Sequence, residues 1–250
     1  MKVKWDYTEL AEAYLKRPDY SKKAVEKMLE ISGVKKGDHV CDVGAGAAHL
    51  TKLLAEKDLI IDAVEPNDAM RNNGKIITEM YDSVTWHDGV GENTGQESGK
   101  YKLVTFGSSF NVTDRALALI ESDRILEKGG YFACMWNHRD LNDSIQIQIE
   151  NAIKSRISDY DYGSRREDQT DIIDASGLFE KVQKIEGTVL HEQSIQDCLE
   201  GWKSHATLYR QAGDQFENII SDIEDILKSL NSEKIIIPYT TRIWIAKVKK

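Results

Sequence analysis

The chain has 250 residues, 40% hydrophobic and 30% charged, which suits one globular domain with a sizeable core. Its net charge of -9 argues against nucleic acid as a partner, because tracking phosphates needs a basic surface. Cys41, Cys134 and Cys198 lie far apart with no Cys-x-x-Cys pair, which argues against a bound metal, and neither a signal core nor a long apolar span is seen, so a cytoplasmic protein without a membrane partner is expected.

Residues 5–32 carry helical spacing. Leu10, Ala11 and Tyr14 share one face, Pro18 interrupts, and Ser21 is placed to cap a second helix with Ala24, Val25, Met28 and Leu29 inward. Gly33 stops it, so residues 1–33 read as an N-terminal helical arm. Tyr14 and Tyr20 fit either packing or a place over a ligand. Next, His39 to Val43 reads as a buried parallel strand that breaks into Gly44-Ala45-Gly46, and Leu50 to Lys57 starts a helix. Strand, glycine turn and helix is how open α/β sheets hold a nucleotide-like ligand. The dinucleotide fingerprint wants glycine or alanine where His49 stands, which disfavours a nicotinamide or flavin. The pattern apolar-x-Asp-x-Gly-x-Gly-x-Gly fits Asp42, Gly44 and Gly46, with Ala48 in the last place.

Leu59 to Val64 is a second strand ending in Glu65, about twenty residues past the glycines, where an acid can accept hydrogen bonds from a ribose diol. Pro66 starts a turn, Asn67 or Asp68 caps the next helix, and Met70 falls one turn in, where its thioether can lie on an adenine face. Ser83 to His87 is a third strand, followed by the glycine-rich loop Asp88 to Gly95. Tyr101 to Phe106 is a fourth, leading into Gly107-Ser108-Ser109-Phe110-Asn111 at the ligand edge of the sheet, where Phe110 is a candidate wall. Arg115 to Glu127 reads as a helix with Ala116, Leu119, Ile120 and Leu126 inward, ended by Gly129-Gly130, and Tyr131 to Trp136 as a fifth strand. Such regular alternation predicts a doubly wound α/β fold, its sheet mostly parallel with helices on both faces.

Several of these stretches resemble the class I S-adenosylmethionine-dependent methyltransferases of small-molecule type. Val40 to His49 resembles their motif I, Glu65-Pro66-Asn67-Asp68-Ala69-Met70 their ribose and adenine segment, and Ile125 to Phe132 their leucine, lysine, glycine-glycine hallmark. Tyr14 to Tyr20 resembles the arm of many such enzymes. The resemblance implies a seven-stranded sheet and S-adenosylmethionine as cofactor. It implies cofactor contacts from Tyr14, Asp42, Gly44, Ala45, Gly46, Glu65, Pro66, Asn67, Met70, Gly107 and Ser108, and adenine contacts from Gly91, Glu92 and Asn93. Three positions depart from the family: Val90 and Lys102 stand where relatives have aspartate, and Asn111 where many have histidine.

Residues 34–137 thus read as the cofactor-binding core. Beyond it, His138 is a candidate general base and Arg139 a candidate anion contact, each also readable as part of a polar turn. A helix over 142–160 and the run Tyr160 to Arg166 are read as a lid, 138–167, with Tyr162, Arg165 and Arg166 toward the substrate. Asp168 to Ser176 is a helix and Val182 to Leu190 the sixth strand. The minimal family fold joins strands six and seven by a hairpin; here 192–234 intervene as a second lid, helical over Ile195–Ala206 and Phe216–Leu230, with His205, Tyr209 and Arg210 as candidates. Ile235 to Val248 supplies the last strand. The expected reaction is in-line methyl transfer to a small acceptor bearing a carboxylate or phosphate, with His138, Asn111 and His205 as the candidate catalytic residues. Two rivals are an NAD(P)-dependent oxidoreductase and a non-catalytic adenosylmethionine-binding protein. The acceptor atom and the oligomeric state are left open.

Overall fold

A computed structural model describes residues 14–250. The earlier part of the expected arm, with Leu10 and Ala11, lies outside the described residues. Helix α1 (Lys22–Ser32) buries Ala24, Val25, Met28 and Leu29 and ends at Gly33, whose φ of 63° lets its N–H reach back to Glu30. Strand β1 (His39–Val43), helix α2 (His49–Ala55), β2 (Ile60–Val64), α3 (Asp68–Ile77) and β3 (Val84–His87) follow as two strand–helix–strand units in their expected places. Then come β4 (Tyr101–Gly107), α4 (Arg115–Ile125), β5 (Leu126–Arg139), α5 (Ser144–Arg156), α6 (Thr170–Ala175) and β6 (Gln183–Ser194). Helices α7 (Ile195–Lys203), α8 (Ala206–Ala212) and α9 (Phe216–Ser229) precede β7 (Lys234–Lys247).

The seven strands are ordered β3-β2-β1-β4-β5-β7-β6. All neighbours are parallel except β7, which runs antiparallel to both β5 and β6. The strand order reverses between β1 and β4, so a crevice opens at their C-terminal ends. Strands β1 and β4 are almost continuously buried, as strands covered on both faces must be. One face packs on α1 and α2 through Met28, Leu54, Ile61 and Leu103; the other packs on α4 and α6 through Phe106, Leu119, Phe132 and Ile173. A third apolar cluster joins α5, α7, α8 and α9 to the start of β7, through Ile149, Trp202, Ile223 and Ile237. These helices form a cap.

Several boundaries differ from the sequence reading: the expected helix over 142–160 is Ser144–Arg156, and the fifth strand extends from Leu126 to Arg139. Gly129-Gly130 does not end a helix. Helix α4 stops at Ile125, and the glycine pair sits inside β5 at a bulge, where Tyr101 pairs with Leu126 but Leu103 with Tyr131. Gly129 takes a φ of 78° there, a conformation only glycine adopts without strain. With the helix ending earlier, its buried stripe is Ala118, Leu119, Ser122 and Ile125, and Ala116 and Ile120 face out. Strand β6 also continues to Ser194, so the second insertion starts at Ile195, and its first helical stretch is two helices broken at Ser204-His205.

Candidate active site

The turn after β1 shapes one end of a cavity of about 680 Å³ at the sheet's switch point, within the range of sites that enclose a cofactor-sized ligand. Gly44 has a φ of 66°, and a Cβ there would stand 2.4 Å from the Ser109 Cβ, so no larger residue fits. Ser109 Oγ donates to the Val43 carbonyl at 2.6 Å and locks the β4 loop against the turn. Ala48 also sits at a left-handed φ of 69°, the conformation that makes glycine usual in the last motif position. Asp42 lies beneath the turn, fully buried, accepting from Thr51 Oγ1 at 2.7 Å and Thr105 Oγ1 at 2.9 Å. Burial pushes its carboxyl up to about 6 against the pull of those two bonds.

Glu65 stands at the end of β2. One carboxylate oxygen accepts from the Gly46 N–H and the other from the Asn67 N–H, each at 2.9 Å. Burial raises its pKa, and these two backbone donors oppose that. Asn67 caps α3, its Oδ1 accepting from Met70 N–H at 3.0 Å, as the sequence suggests. Capping fixes Met70 against Ala47 and Tyr14 at the cavity wall. Pro66, Val90, Gly91, Glu92, Gly107 and Ser108 complete this end, and the bare main chain at Gly44 and Gly46 beside the Glu65 carboxylate fits an adenosine-bearing group.

Residues 14–20 lie over the cavity and contribute Tyr14, Lys16, Arg17, Pro18 and Tyr20 to its wall. Tyr20 OH meets Ser108 Oγ at 2.8 Å. Asn137 Nδ2 donates to the Pro18 and Asp19 carbonyls, each at 3.0 Å, and Thr241 Oγ1 accepts from Ser21 N–H. His49 Nδ1 meets Asp19 Oδ1, and its Nε2 meets the Tyr14 carbonyl. Lys16 pairs with Asp197 of α7 at 2.7 Å, joining arm to cap.

The far end is lined by Arg139, Tyr162, Arg165, Arg166, Cys198, His205 and Tyr239. The Arg139 guanidinium lies 4.1 Å from the Trp202 ring centre, and Arg166 lies 4.4 Å from that of Tyr162. Asn111 also lines the cavity, its Oδ1 accepting from Trp136 Nε1.

Five expected residues are elsewhere, the exposed Arg210 among them. His138 is buried outside the cavity, where Nε2 holds the Arg165 carbonyl at 2.9 Å; burial lowers its pKa to about 4. Its side chain alternates away because β5 continues through Arg139. Phe110 is fully buried among Phe106 and Phe132 rather than walling the cavity. Asn93 closes a tight loop with Val90 and does not reach the cavity, while Tyr209 is 64% exposed and meets Phe216 edge to face. Lys102, unexplained by sequence, pairs with Asp38 at 2.8 Å. Sequence reasoning missed His49, Asn137, Arg17, Cys198 and Tyr239. In the sequence His49 reads only as a poor fit to a glycine pattern, although a polar ring at the first turn of a helix also signals a partner above it.

Known proteins agree with this architecture. A sequence model of the ubiE/COQ5 methyltransferase family matches residues 16–158, more than half of the chain. An uncharacterised methyltransferase of Mycobacterium tuberculosis is 27% identical over 124 residues, which cover 50% of this chain and 48% of that one, so the chain spans about half the length of the first curated relatives it matches. An uncharacterised methyltransferase of Schizosaccharomyces pombe is 22% identical over 228 residues, covering 89% of this chain and 87% of that one. Among solved structures, phosphoethanolamine N-methyltransferase 2 of Haemonchus contortus, in complex with phosphomonomethylethanolamine and S-adenosylhomocysteine, shares the fold at a TM-score of 0.55, with 14% identity over 96% of this chain and 57% of that one. The chain belongs to the ubiE/COQ5 methyltransferase family, and its cofactor is S-adenosylmethionine.

Proposed function

We propose that this protein transfers a methyl group from S-adenosylmethionine to a small acceptor bearing an anionic group. The observation that carries this reading is one continuous cavity with two unlike ends: a glycine turn beside Glu65, and a set of arginines under a helical cap. When bound, the cofactor supplies an electrophilic methyl carbon on a sulfonium. Glu65 keeps spare acceptor capacity on each oxygen for a ribose diol, since a carboxylate offers about four lone-pair sites. Asp42 acts from below by fixing the helix and strand that flank the turn, and Met70 offers a polarizable face to the adenine. Gly91 and Glu92 flank the adenine edge, and Glu92 is itself tied to the Asp114 N–H. The insertions 138–167 and 195–234 serve as the lid, with Arg139, Arg165, Arg166 and Tyr162 facing the acceptor. Excluding water and aligning the nucleophile is the protein's share of the reaction.

Supporting this over a nicotinamide enzyme is His49, which stands where a dinucleotide turn needs a small residue and is engaged by the arm. Calorimetry with S-adenosylmethionine, S-adenosylhomocysteine and NAD tests the reading. Binding of the first two and not the third is expected; binding of NAD alone would overturn it. Appearance of S-adenosylhomocysteine with a small acid as acceptor separates an enzyme from a binding protein.

A further inference from the structure

We infer that the acceptor carries two or more carboxylates and that one of them takes the methyl group, so that the product is a methyl ester. This rests on the methyl-transfer reading above. The far end of the cavity gathers four guanidiniums, Arg17, Arg139, Arg165 and Arg166. Among the described residues, none of Arg17, Arg139, Arg165 and Arg166 has a carboxylate within ion-pairing distance, although the chain is acidic overall. Arg165 Nε is buried without a partner. Burial, then the charges of Arg17 and Arg139, push the Arg165 guanidinium down to about 10, so these cations lie close enough to repel one another. His205 is 5% exposed, and its Nδ1 accepts the Leu208 N–H at 3.2 Å. Its proton therefore sits on Nε2, a second buried donor without a partner. Unpaired buried donors and clustered cations are costly, and a ligand with several anionic oxygens answers both.

Shape favours carboxylates. The Arg139 and Arg166 guanidiniums lie over the Trp202 and Tyr162 rings, Arg139 Nε donates to Tyr239 OH and Arg166 Nη2 to the Arg139 carbonyl, and the remaining N–H groups of each planar fork suit flat, bidentate partners.

Among the described residues, neither imidazole that lines the cavity is free to take a proton: His49 is engaged at both ring nitrogens. His205 presents N–H, and burial, then Arg165 and Arg139, hold it neutral. Asp42 is held by two threonines, Glu65 by two backbone donors, and Asp197 by Lys16 and Ser194. Asp114 caps α4, and Glu92 takes the Asp114 N–H. An alcohol, phenol or ammonium must shed a proton to become a nucleophile, whereas a carboxylic acid is ionised above about pH 4 unaided. The balance is then simple. A carboxylate oxygen bonds the methyl carbon, the carbon–sulfur bond breaks with its pair going to sulfur, and no proton moves.

The test uses propane-1,2,3-tricarboxylate, butyrate, glycerol 3-phosphate and catechol as probes. By calorimetry on the protein saturated with S-adenosylhomocysteine, the tricarboxylate should bind at least about tenfold tighter than butyrate, and Arg165→Gln or Arg139→Gln should remove that margin while leaving S-adenosylhomocysteine affinity in place. With methyl-labelled cofactor, label on a polycarboxylate should leave as methanol in mild alkali. Alkali-stable label on catechol or glycerol 3-phosphate would overturn the ester while keeping methyl transfer. A protein that holds S-adenosylhomocysteine but shows no preference for the tricarboxylate would overturn it as well. A protein that binds no adenosyl cofactor would overturn both readings.

Discussion

His49 meets Asp19 across the mouth of the cavity, Nδ1 to Oδ1 at 2.9 Å, while its Nε2 reaches the Tyr14 carbonyl at 2.8 Å. One ring thus fastens both ends of the segment that roofs the glycine turn. His49→Ala deletes both contacts, worth together roughly 1–3 kcal/mol. Release of S-adenosylhomocysteine, followed by stopped-flow fluorescence, should accelerate about 5- to 100-fold with little change in melting temperature. An unchanged release rate would retire the latch.

The same pair carries a pH signature. Its hydrogen bond to His49 holds the Asp19 carboxyl below the usual carboxylate range. A depressed carboxylate stabilises the fold above its unfolded value and loses that as pH falls through the folded one. Release should therefore quicken in acid in the parent protein, and Asp19→Asn should flatten that acid limb.

Asp42 gives the opposite sign. Its folded value of about 6 lies above the usual value near 4, so between them the folded chain keeps a proton that the unfolded chain has lost. This group's contribution is present at low pH and is lost as pH rises through that window, by about 3 kcal/mol in all. Urea unfolding of Asp42→Asn and parent should show the variant gaining on the parent as pH rises from about 4 to 6. Parallel curves would show that the carboxyl is not perturbed.

Ala48 holds a conformation that costs an L residue about 1–2 kcal/mol, while glycine adds back roughly 0.5–1 kcal/mol of unfolded-chain freedom. Ala48→Gly should stabilise the protein by about 0.5–1 kcal/mol in thermal denaturation. A lower melting temperature would mean that the methyl group packs for more than its strain costs.

Glu65→Ala should weaken S-adenosylmethionine binding by roughly 1–3 kcal/mol in calorimetry, since a charged acceptor is lost and the Gly46 N–H is left without its partner. Wild-type affinity in the variant would count against the ribose role.

What was legible in the sequence follows short-range rules. The turn at Gly44 to Gly46, the acid at Glu65 and the cap at Asn67 are each set by a few consecutive residues, and each lies where its pattern puts it. Gly129-Gly130 marked an interruption but not its kind, because glycine permits a helix stop and a strand bulge alike. Side-chain direction was harder. His138 and Arg139 are neighbours at a strand end, and alternation sends one behind the sheet and the other into the cavity. That Arg17 would approach Arg165 was beyond any local pattern, since it depends on how arm and cap both meet the sheet.

The cap rests on an apolar cluster of its own, separate from the two that hold the sheet. Substitutions around Trp202, Ile219 or Ile223 can therefore reshape the far end of the cavity while the glycine turn keeps its footing on β1 and β4. A scaffold divided in this way can exchange one acceptor for another over generations of sequence drift and keep the same methyl donor throughout.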